Sequence, residues 1–213
     1  DPDEAVLEKE SVFGQTFSYK GEEFAISLAG VYQKENAVLA LNALEELDRL
    51  GWTTTMEQRK DGLLHTSWKG RFTVINKKPL FIVDGAHNAG AADKMAESIR
   101  HYFNGKKLIY IMGVFADKDY RQMLEMVSDC SDTLIAFKPD NPRGLAAEQL
   151  KETAEPFFKR TLAAKSQAEA LAIARKIGEG NHAIVCFGSL STMAGWYQLT
   201  GRKSLDEEYR QNY

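Results

Sequence analysis

Residues 81 to 90 are Phe81-Ile82-Val83-Asp84-Gly85-Ala86-His87-Asn88-Ala89-Gly90, and they join the end of one element to the start of another. The apolar run that ends at Val83 is short, which predicts one buried strand. Polar residues and glycine follow at once, and apolar residues at helical spacing begin at Ala92. A strand that gives way to polar residues and then to a helix places those residues at the carboxyl edge of a parallel sheet, where open α/β sheets bind ligands.

Two side chains of this segment have the chemistry of a site. Asp84 offers a hydrogen-bond acceptor, His87 offers a titratable ring, and the amides at the start of the next helix can meet an anion. The same residues also suit a plain turn with a helix cap, because Asp, Asn and Gly are common there. The segment alone leaves both interpretations open.

The chain after residue 80 alternates predicted strands and helices. The predicted strands are 80–83, 107–112, 133–137, 160–163 and 182–187, with a further strand at 70–75 before them. The predicted helices are 89–103, 119–128, 146–154, 166–178 and 190–199. This alternation predicts an α/β fold with a doubly wound, mostly parallel sheet and right-handed crossovers. The polar tail from Lys203 to Tyr213 is expected to fray.

The first part of the chain predicts a smaller unit. Residues 12–28 form two β-favouring runs around a short turn that contains Gly21, which predicts a hairpin. An Ala/Leu-rich helix over 37–50 ends before Gly51, and a short helix follows within 53–64. The longer helix is apolar on much of its surface and should be buried, so we expect this region to complete a larger domain. The predicted domains are 1–67 and 68–213.

Composition excludes several classes of function. The chain has 213 residues, 44% of them hydrophobic and 27% charged, which is typical of a globular protein. A net charge of −3 gives no electrostatic support for a nucleic-acid partner. No apolar run is long enough to span a membrane and no signal peptide opens the chain, so we expect no membrane partner and a cytoplasmic location. Cys130 and Cys186 lack metal-ligand spacing and are expected to be buried free thiols. The first residue is Asp1 rather than Met, which suggests a piece of a longer chain.

Three polar clusters follow three of the predicted strands. They are Asp84–Asn88, Gly113–Asp119 and Gly188–Thr192, and the predicted topology places all of them at one edge of the sheet. Taken singly, Lys118 suits a solvated surface lysine and Ser189 suits a helix cap. Together, a lysine, a histidine and hydroxyl groups are donors for a small carboxylate or phosphate.

Several catalytic motifs are absent from the sequence. It contains neither G-x-x-x-x-G-K-[ST] nor G-x-G-x-x-G, so both common nucleotide loops are missing. It has no G-x-S-x-G, and the four histidines have no metal-like spacing. The chain therefore lacks the part that would cradle phosphates.

The motifs present nevertheless match a known family. Gly70-Arg71 precedes D-G-A-H-N at 84–88, and A-D-K-D-Y follows at 116–120. Further matches are Gly30 with Gln33–Ala37, Pro142-Arg143 and Phe187-Gly188-Ser189. In order and spacing, residues from about 28 to 200 closely resemble the C-terminal part of folylpolyglutamate synthase/dihydrofolate synthase, in the Mur ligase superfamily. Tyr32 departs from the family, which usually has His before Gln33, and this puts a role for that side chain in doubt.

The resemblance implies a fold and a reaction. The fold would be a Rossmann-like Mur ligase C-terminal domain, preceded by a hairpin-helix remnant of the central ATPase domain. The reaction would be ATP-dependent amide ligation, in which a dihydropteroate or folate carboxylate is phosphorylated and L-glutamate attacks the acyl phosphate. The family's phosphate loop and Mg²⁺ ligands belong to its N-terminal part and have no counterpart here. We therefore expect a C-terminal fragment that is inactive without the missing ATPase domain.

The resemblance also implies residue roles. Asn36 would contact adenine, Arg71 the ATP phosphates, and Asp84 the ribose or its neighbourhood. The residues implied for glutamate binding are His87, Lys118, Ser189 and, more weakly, Arg143. Arg71 and His87 are the catalytic candidates, because a guanidinium can neutralise charge on a transferred phosphoryl group.

Two alternatives to a folate ligase remain at this point. One is a non-catalytic α/β module that binds a small anion. The other is a cell-wall Mur ligase, which adds an amino acid to a UDP-linked peptide; D-G-A-H-N followed by A-D-K-D favours the folate branch. The sequence leaves open whether dihydropteroate, folates or both are used, and it does not indicate the oligomeric state.

Overall fold

The structure is a computed structural model that describes residues 1–201. The chain forms two compact units, the first covering Asp1–Trp68 and the second beginning at Lys69. The predicted fraying of the tail from Lys203 to Tyr213 lies outside the described residues. Within residues 1–201, no helix has the length and apolar character needed to cross a bilayer.

The N-terminal unit is a three-stranded antiparallel sheet with two α-helices. Its strands, in the order β1-β2-β3, are β1 Val6–Ser11, β2 Gly14–Tyr19 and β3 Glu22–Ile26. Its helices are α1 Gln33–Arg49 and α2 Met56–His65, and a short 3₁₀ turn covers Pro2–Glu4. The predicted hairpin is confirmed as β2 and β3. Its two-residue turn has positive φ at both Lys20 and Gly21 (51° and 81°), the conformation that matches the twist of paired strands.

Two features of this unit differ from the prediction. Strand β1 was missed, because its residues are largely exposed and charged and show no apolar alternation. Second, the apolar surface of α1 is only partly buried within this unit, and its burial in a larger domain stays a prediction. Ala37, Val38 and Leu41 pack into the core of the unit, whereas Leu39 is 66% exposed and Leu50 is 75% exposed.

The C-terminal unit is built on a six-stranded sheet. Its strands are β4 Thr73–Lys77, β5 Leu80–Val83, β6 Leu108–Met112, β7 Thr133–Phe137, β8 Arg160–Ala164 and β9 Ala183–Phe187. Its helices are α3 Ala89–Phe103, α4 Tyr120–Val127, α5 Ala147–Ala154, α6 Gln167–Gly178 and α7 Met193–Thr200. Two 3₁₀ turns cover Ser128–Cys130 and Leu190–Thr192. The predicted mostly parallel sheet is confirmed, because only β4 pairs in the antiparallel direction.

The sheet of this unit has helices on both faces. One face packs against α6 and α7, where Trp196 meets Phe81 and Phe137 edge-on at ring-centroid distances of 5.6 and 5.5 Å. Helices α3, α4 and α5 contact one another in sequence and cover the other face. The strands between these layers are buried on both sides, which explains their continuous apolar runs.

The strand order of the sheet is β4-β5-β9-β6-β7-β8. The last strand in sequence, β9, thus lies between β5 and β6, with Cys186 paired to Val83 on one side and to Ile111 on the other. This insertion brings the carboxyl ends of β5, β9 and β6 next to one another. The crevice at such a reversal of strand order is where ligands bind in open α/β sheets.

Two predicted boundaries are corrected. The strand predicted at 70–75 runs from Thr73 to Lys77, because Gly70–Phe72 forms a tight corner in which Phe72 has a φ of 46°. The helix predicted at 190–199 begins as the 3₁₀ turn at Leu190, and α7 itself starts at Met193.

Candidate functional site at the carboxyl edge of the sheet

The three polar clusters identified in the sequence meet at one edge of the sheet. The amide of Gly188 donates to the carbonyl of Ala86 at 2.9 Å, and the amide of Gly113 donates to the carbonyl of Phe187 at 3.2 Å. These backbone bonds continue the sheet for one residue beyond the strands and hold the three loops side by side. The expectation that the clusters share an edge is confirmed.

Glycine is required where these loops approach most closely. Gly188 has a φ of 112°, and a Cβ there would lie 2.4 Å from the carbonyl oxygen of Gly113. A Cβ on Gly85 would lie 2.1 Å from a methyl carbon of Leu190. A larger residue at Gly188 would push the two backbones apart, whereas one at Gly85 would displace the side chain of Leu190.

Asp84 is buried at the centre of this edge, with 2% of its surface exposed. Its Oδ2 accepts from the amide of Phe72 at 2.8 Å and its Oδ1 accepts from the amide of Ala86 at 2.7 Å. Burial raises the pKa of the Asp84 carboxyl, and the two amides and the nearby charge of Arg71 offset part of that rise. The observed partners of Asp84 are therefore backbone amides, a structural role that the sequence prediction of an ATP contact did not include.

Arg71 lies on the corner that Asp84 holds. The carbonyl of Gly70 accepts from the amide of Gly85 at 2.6 Å, which joins the corner to the segment after β5. Arg71 is half-buried, and its charge lowers the pKa of Asp84, as does the charge of His87. The structure thus brings Arg71 and His87, the two catalytic candidates, around one carboxylate from different loops.

The ring of His87 has a defined orientation. Its Nδ1 lies 2.8 Å from the carbonyl oxygen of Gly85. Because a carbonyl can only accept, Nδ1 carries the proton of the neutral ring, and Nε2 is left as an acceptor. The sequence analysis treated His87 as a donor to a carboxylate. With the proton on Nδ1, Nε2 can accept a hydrogen bond from an N–H group of a ligand, and the predicted contact with a carboxylate stays a prediction.

Lys118 and Arg143 are brought together by a third residue, Asp117. Arg143 binds Asp117 through two nitrogens, with Nη2 at 2.6 Å and Nε at 3.2 Å, and the Lys118 ammonium lies 3.8 Å from the same carboxylate. The guanidinium of Arg143 also stacks over the ring of Phe115 at 4.7 Å. Two cations therefore face solvent at the ends of β6 and β7.

Backbone contacts fasten the loops that carry this cluster. The amide of Ala116 donates to the carbonyl of Arg143, and the amide of Leu145 donates to the carbonyl of Val114, both at 2.9 Å. The pairing of Asp117 with Arg143 was not predicted from the sequence. The position of Asp117 beside Lys118 was the available signal for an ion pair. Nothing in the sequence indicated that Asp117 has a partner on another loop.

Ser189 has the contacts of a helix cap. It is 4% exposed, its Oγ accepts from the amide of Ser191 at 3.2 Å, and it shares a hydrogen bond with the hydroxyl of Ser191 at 2.8 Å. These contacts match the alternative given for Ser189 in the sequence. Its predicted contact with glutamate stays a prediction.

Asn36 belongs to the N-terminal unit. It is exposed in the first turn of α1, where its side-chain amide donates to Oε1 of Gln33 at 3.1 Å. The start of α1 has no side-chain cap, since Tyr32 at the cap position makes no such bond. The adenine contact predicted for Asn36 stays a prediction.

The cysteines and the acidic side chains are the residues from which a metal site could be built. Both cysteines are free, Cys186 buried and Cys130 half-buried, and burial raises the pKa of the Cys130 thiol to about 11. Among residues 1–201, no three His, Cys, Asp or Glu side chains are grouped as ligands for a metal ion. The described residues thus do not fit a Mg²⁺ site of their own.

Comparison with known proteins places this geometry in context. The family model described as Mur ligase, glutamate ligase domain, matches residues 70–190. The dihydrofolate synthase/folylpolyglutamate synthase of Bacillus subtilis is 28% identical over 148 residues, a match that covers 67% of this chain and 34% of that protein.

Solved structures match over nearly the whole chain. A Mycobacterium tuberculosis folylpolyglutamate synthase complexed with ADP has a TM-score of 0.81 at 25% identity, covering 94% of this chain and 48% of that one. The Thermotoga maritima folylpolyglutamate synthase has a TM-score of 0.74 at 26% identity, covering 96% of this chain and 49% of that one. The chain therefore spans about half of these structures, and 34% of the curated relative.

Proposed function

Because the chain belongs to the Mur ligase family through its glutamate ligase domain, we propose that it is the C-terminal part of an ATP-dependent ligase. The ligase joins L-glutamate to a carboxylate of a folate or of dihydropteroate. The names of the related proteins support this proposal, and the ADP complex of the Mycobacterium tuberculosis relative supports the use of ATP.

The convergence of complementary groups at the sheet edge carries the proposal. Glutamate has two carboxylates and one amine. Lys118 and Arg143 supply two neighbouring cations for carboxylates, and Nε2 of His87 supplies an acceptor for the amine. These groups lie at one edge of the sheet, on the loops that follow β5, β6 and β7, and we propose that one molecule of glutamate engages them together.

Each residue has a part in the reaction we propose. The acceptor carboxylate attacks the γ-phosphorus of ATP and ADP leaves, giving an acyl phosphate. The nitrogen of glutamate attacks the acyl carbon, phosphate leaves, and the nitrogen loses a proton. Arg71 stabilises the negative charge of the phosphoryl group, while His87 orients the amine by accepting a hydrogen bond from its N–H group.

The remaining assignments complete the proposal. Asn36 contacts adenine, Asp84 belongs to the ATP side of the site, and Ser189 contributes to glutamate binding through its loop. The residues that bind Mg²⁺ and the phosphate loop both lie outside residues 1–201. An N-terminal ATPase domain that supplies them is therefore the obligatory partner. The free thiols suit a reducing compartment such as the cytoplasm.

A ligation assay tests the proposal. The complete enzyme is incubated with ATP, L-glutamate and one acceptor, and both ADP release and glutamate incorporation are measured. The acceptors are dihydropteroate, tetrahydrofolate and a UDP-linked muramoyl peptide, so that the folate and cell-wall branches give different results. We expect turnover with dihydropteroate or tetrahydrofolate only, and none by residues 1–213 alone. Glutamate binding without turnover by the complete enzyme would favour a binding module instead.

A further inference from the structure

The amino edge of the six-stranded sheet, opposite the candidate site, carries a second group of charged side chains. The segments that lead into β5, β6 and β9 meet at this edge, because those three strands are neighbours in the sheet. They line a cavity of about 540 Å³, here called the amino-edge cavity, whose size suits a small ligand. None of its described lining residues is an aspartate or a glutamate. The charged or titratable ones are Lys77, Lys78, Lys106, Lys107 and His182.

Three lysines of the amino-edge cavity have no carboxylate partner among the described residues. They are Lys78, Lys106 and Lys107, and all three are exposed. The ammonium of Lys106 lies 5.5 Å from the centre of the Phe103 ring and 3.4 Å from the carbonyl oxygen of Tyr102. Elsewhere in the described chain, six lysines lie within ion-pair distance of a carboxylate: Lys20, Lys60, Lys94, Lys118, Lys151 and Lys159.

Hydrogen bonds fix the segments that carry these lysines. The amide of Ala183 donates to the carbonyl of Lys107 at 3.2 Å, which joins the segment before β9 to the segment before β6. At the turn between β4 and β5, the side-chain amide of Asn76 donates to the carbonyl of Pro79 at 2.7 Å. The lysines therefore extend from ordered backbone, so a ligand can meet several of them without first ordering the loops.

The composition of the cavity selects the kind of ligand. Several like charges that lie close together repel one another, and a bound anion removes that cost. An ammonium group is a compact charge that suits phosphate oxygens, whereas the fork of an arginine suits a carboxylate, and none of the described lining residues is an arginine. More than one ammonium group favours more than one phosphate. The net charge of −3 disfavours a long polyanion such as nucleic acid, because the rest of the surface repels it.

From these observations we propose that the amino-edge cavity binds a small polyphosphate, either inorganic triphosphate or the triphosphate group of a nucleotide. Lys78, Lys106 and Lys107 are its main contacts. The site is distinct from the candidate site, since that site lies at the carboxyl edge of the same sheet. The proposal does not depend on the proposed function, because the binding measurements below need no ligase activity.

Chemical footprinting of lysines in the complete protein tests the proposal. The protein is acetylated with and without inorganic triphosphate, in the absence of Mg²⁺, and mass spectrometry gives the rate at each lysine. Sulfate at the same ionic strength controls for screening. We expect triphosphate to slow the acetylation of Lys78, Lys106 and Lys107 by at least about threefold, because a bound ammonium is shielded from the reagent, and to leave Lys9 on β1 unchanged. Equal slowing at Lys9, or equal slowing by sulfate, would overturn the proposal.

A double variant shows whether the lysines act as one site. Lys106→Gln with Lys107→Gln should weaken the protection of Lys78 by triphosphate at least about tenfold, since two contacts to a charged ligand are lost. Lys9→Gln with Lys94→Gln is the matched control, because it removes the same charge at exposed positions outside the cavity, and it should leave the protection of Lys78 unchanged. The melting temperature without ligand should not fall in the cavity variant, because the substitutions relieve repulsion. Full protection of Lys78 in the cavity variant would show that no shared site exists.

Two further anions identify the source of the phosphates. Protection of Lys78 at equal concentrations of ATP and inorganic triphosphate would support a site that recognises the phosphate chain alone. Protection by ATP at about tenfold lower concentration would support a nucleotide, with the half-buried Pro79 and Leu80 in contact with its apolar part. If a single-stranded oligonucleotide protected Lys78 at a lower phosphate concentration than either, the cavity would be part of a nucleic-acid surface and the proposal of a small ligand would be wrong.

Discussion

Asp84 and Asp117 follow β5 and β6, the two strands on either side of β9, and each lies near an arginine, yet their surroundings are opposite. Asp84 is buried, with backbone amides as its partners, and burial raises its pKa. Asp117 is exposed, with the side chains of Arg143 and Lys118 as its partners, and the hydrogen bond from Arg143 lowers its pKa.

The difference separates two uses of a carboxylate. A buried carboxylate bonded to backbone amides cannot be exchanged for a ligand without breaking the loop, so Asp84 fixes geometry. An exposed carboxylate bound to two cationic side chains can be replaced by another carboxylate, because a solvent-exposed ion pair contributes little to stability. Asp117 therefore keeps Arg143 and Lys118 close together, and under the proposed function a carboxylate of glutamate replaces part of its contacts.

The largest effect is expected at Arg71, the arginine near the buried Asp84. Arg71→Ala in the complete enzyme should lower kcat by about two to three decades, or roughly 3–4 kcal/mol, because it removes a charge-assisted contact to the transferred phosphoryl group. The KM for glutamate should change little. Arg100→Ala is the control, because Arg100 is another arginine near an aspartate, Asp129, with which it forms a salt bridge near the opposite end of α3. A change confined to the KM for glutamate would contradict the assignment.

The second effect distinguishes the two aspartates by stability. Asp84→Ala leaves the buried amides of Phe72 and Ala86 without their acceptor, and we expect a loss of about 2–3 kcal/mol in the free energy of unfolding. Asp117→Ala should leave the denaturant midpoint close to that of the wild type, because its partners remain solvated. Equal losses in urea unfolding of the two variants would remove the distinction between them.

The α/β half was predicted closely from the sequence because its signals are local. Apolar strands such as Leu108–Met112 and capped amphipathic helices such as α3 can be recognised from consecutive residues. The position of β9 between β5 and β6 cannot be recognised in this way, because strand order depends on packing between distant segments. The pairing of Arg143 with Asp117, two loops apart, was missed for the same reason.

The sequence predicted which residue types lie at the site better than it predicted the contacts that these residues make. The sequence placed the segments that carry His87 and Lys118 correctly at the same edge of the sheet. It could not show that Asp84 is buried against the amides of Phe72 and Ala86, because this arrangement depends on the strained corner at Phe72. Such strain arises from tertiary contacts and has no local sequence signal.

The third effect concerns the exposed cluster and substrate binding. Lys118→Ala should raise the KM for glutamate by about ten- to a hundredfold, since a hydrogen bond to a charged group contributes roughly 1.5–3 kcal/mol. The KM for ATP should move little. Lys94→Ala is the control, because Lys94 forms an exposed ion pair with Glu97 on α3. An unchanged KM for glutamate would show that Lys118 is a solvated surface lysine.

The smallest effect is a difference in pH dependence between the two aspartates, and its sign follows from their opposite pKa shifts. The pKa of Asp84 lies above the ordinary 3.8, so the folded state binds its proton more tightly than the unfolded state. The contribution of Asp84 to stability therefore falls as the pH rises from about 4 through the folded pKa. The pKa of Asp117 lies below 3.8, so its contribution is present above about pH 4 and is lost as the pH falls through the folded pKa.

Urea unfolding of the wild type, Asp84→Asn and Asp117→Asn between pH 3 and pH 7 measures both contributions. The stability difference between wild type and Asp84→Asn should become less favourable to the wild type as the pH rises. The difference for Asp117→Asn should become slightly more favourable to the wild type, by an amount that decreases in high salt because the group is exposed. Two differences with the same sign and the same salt dependence would mean that burial does not separate the roles of these aspartates.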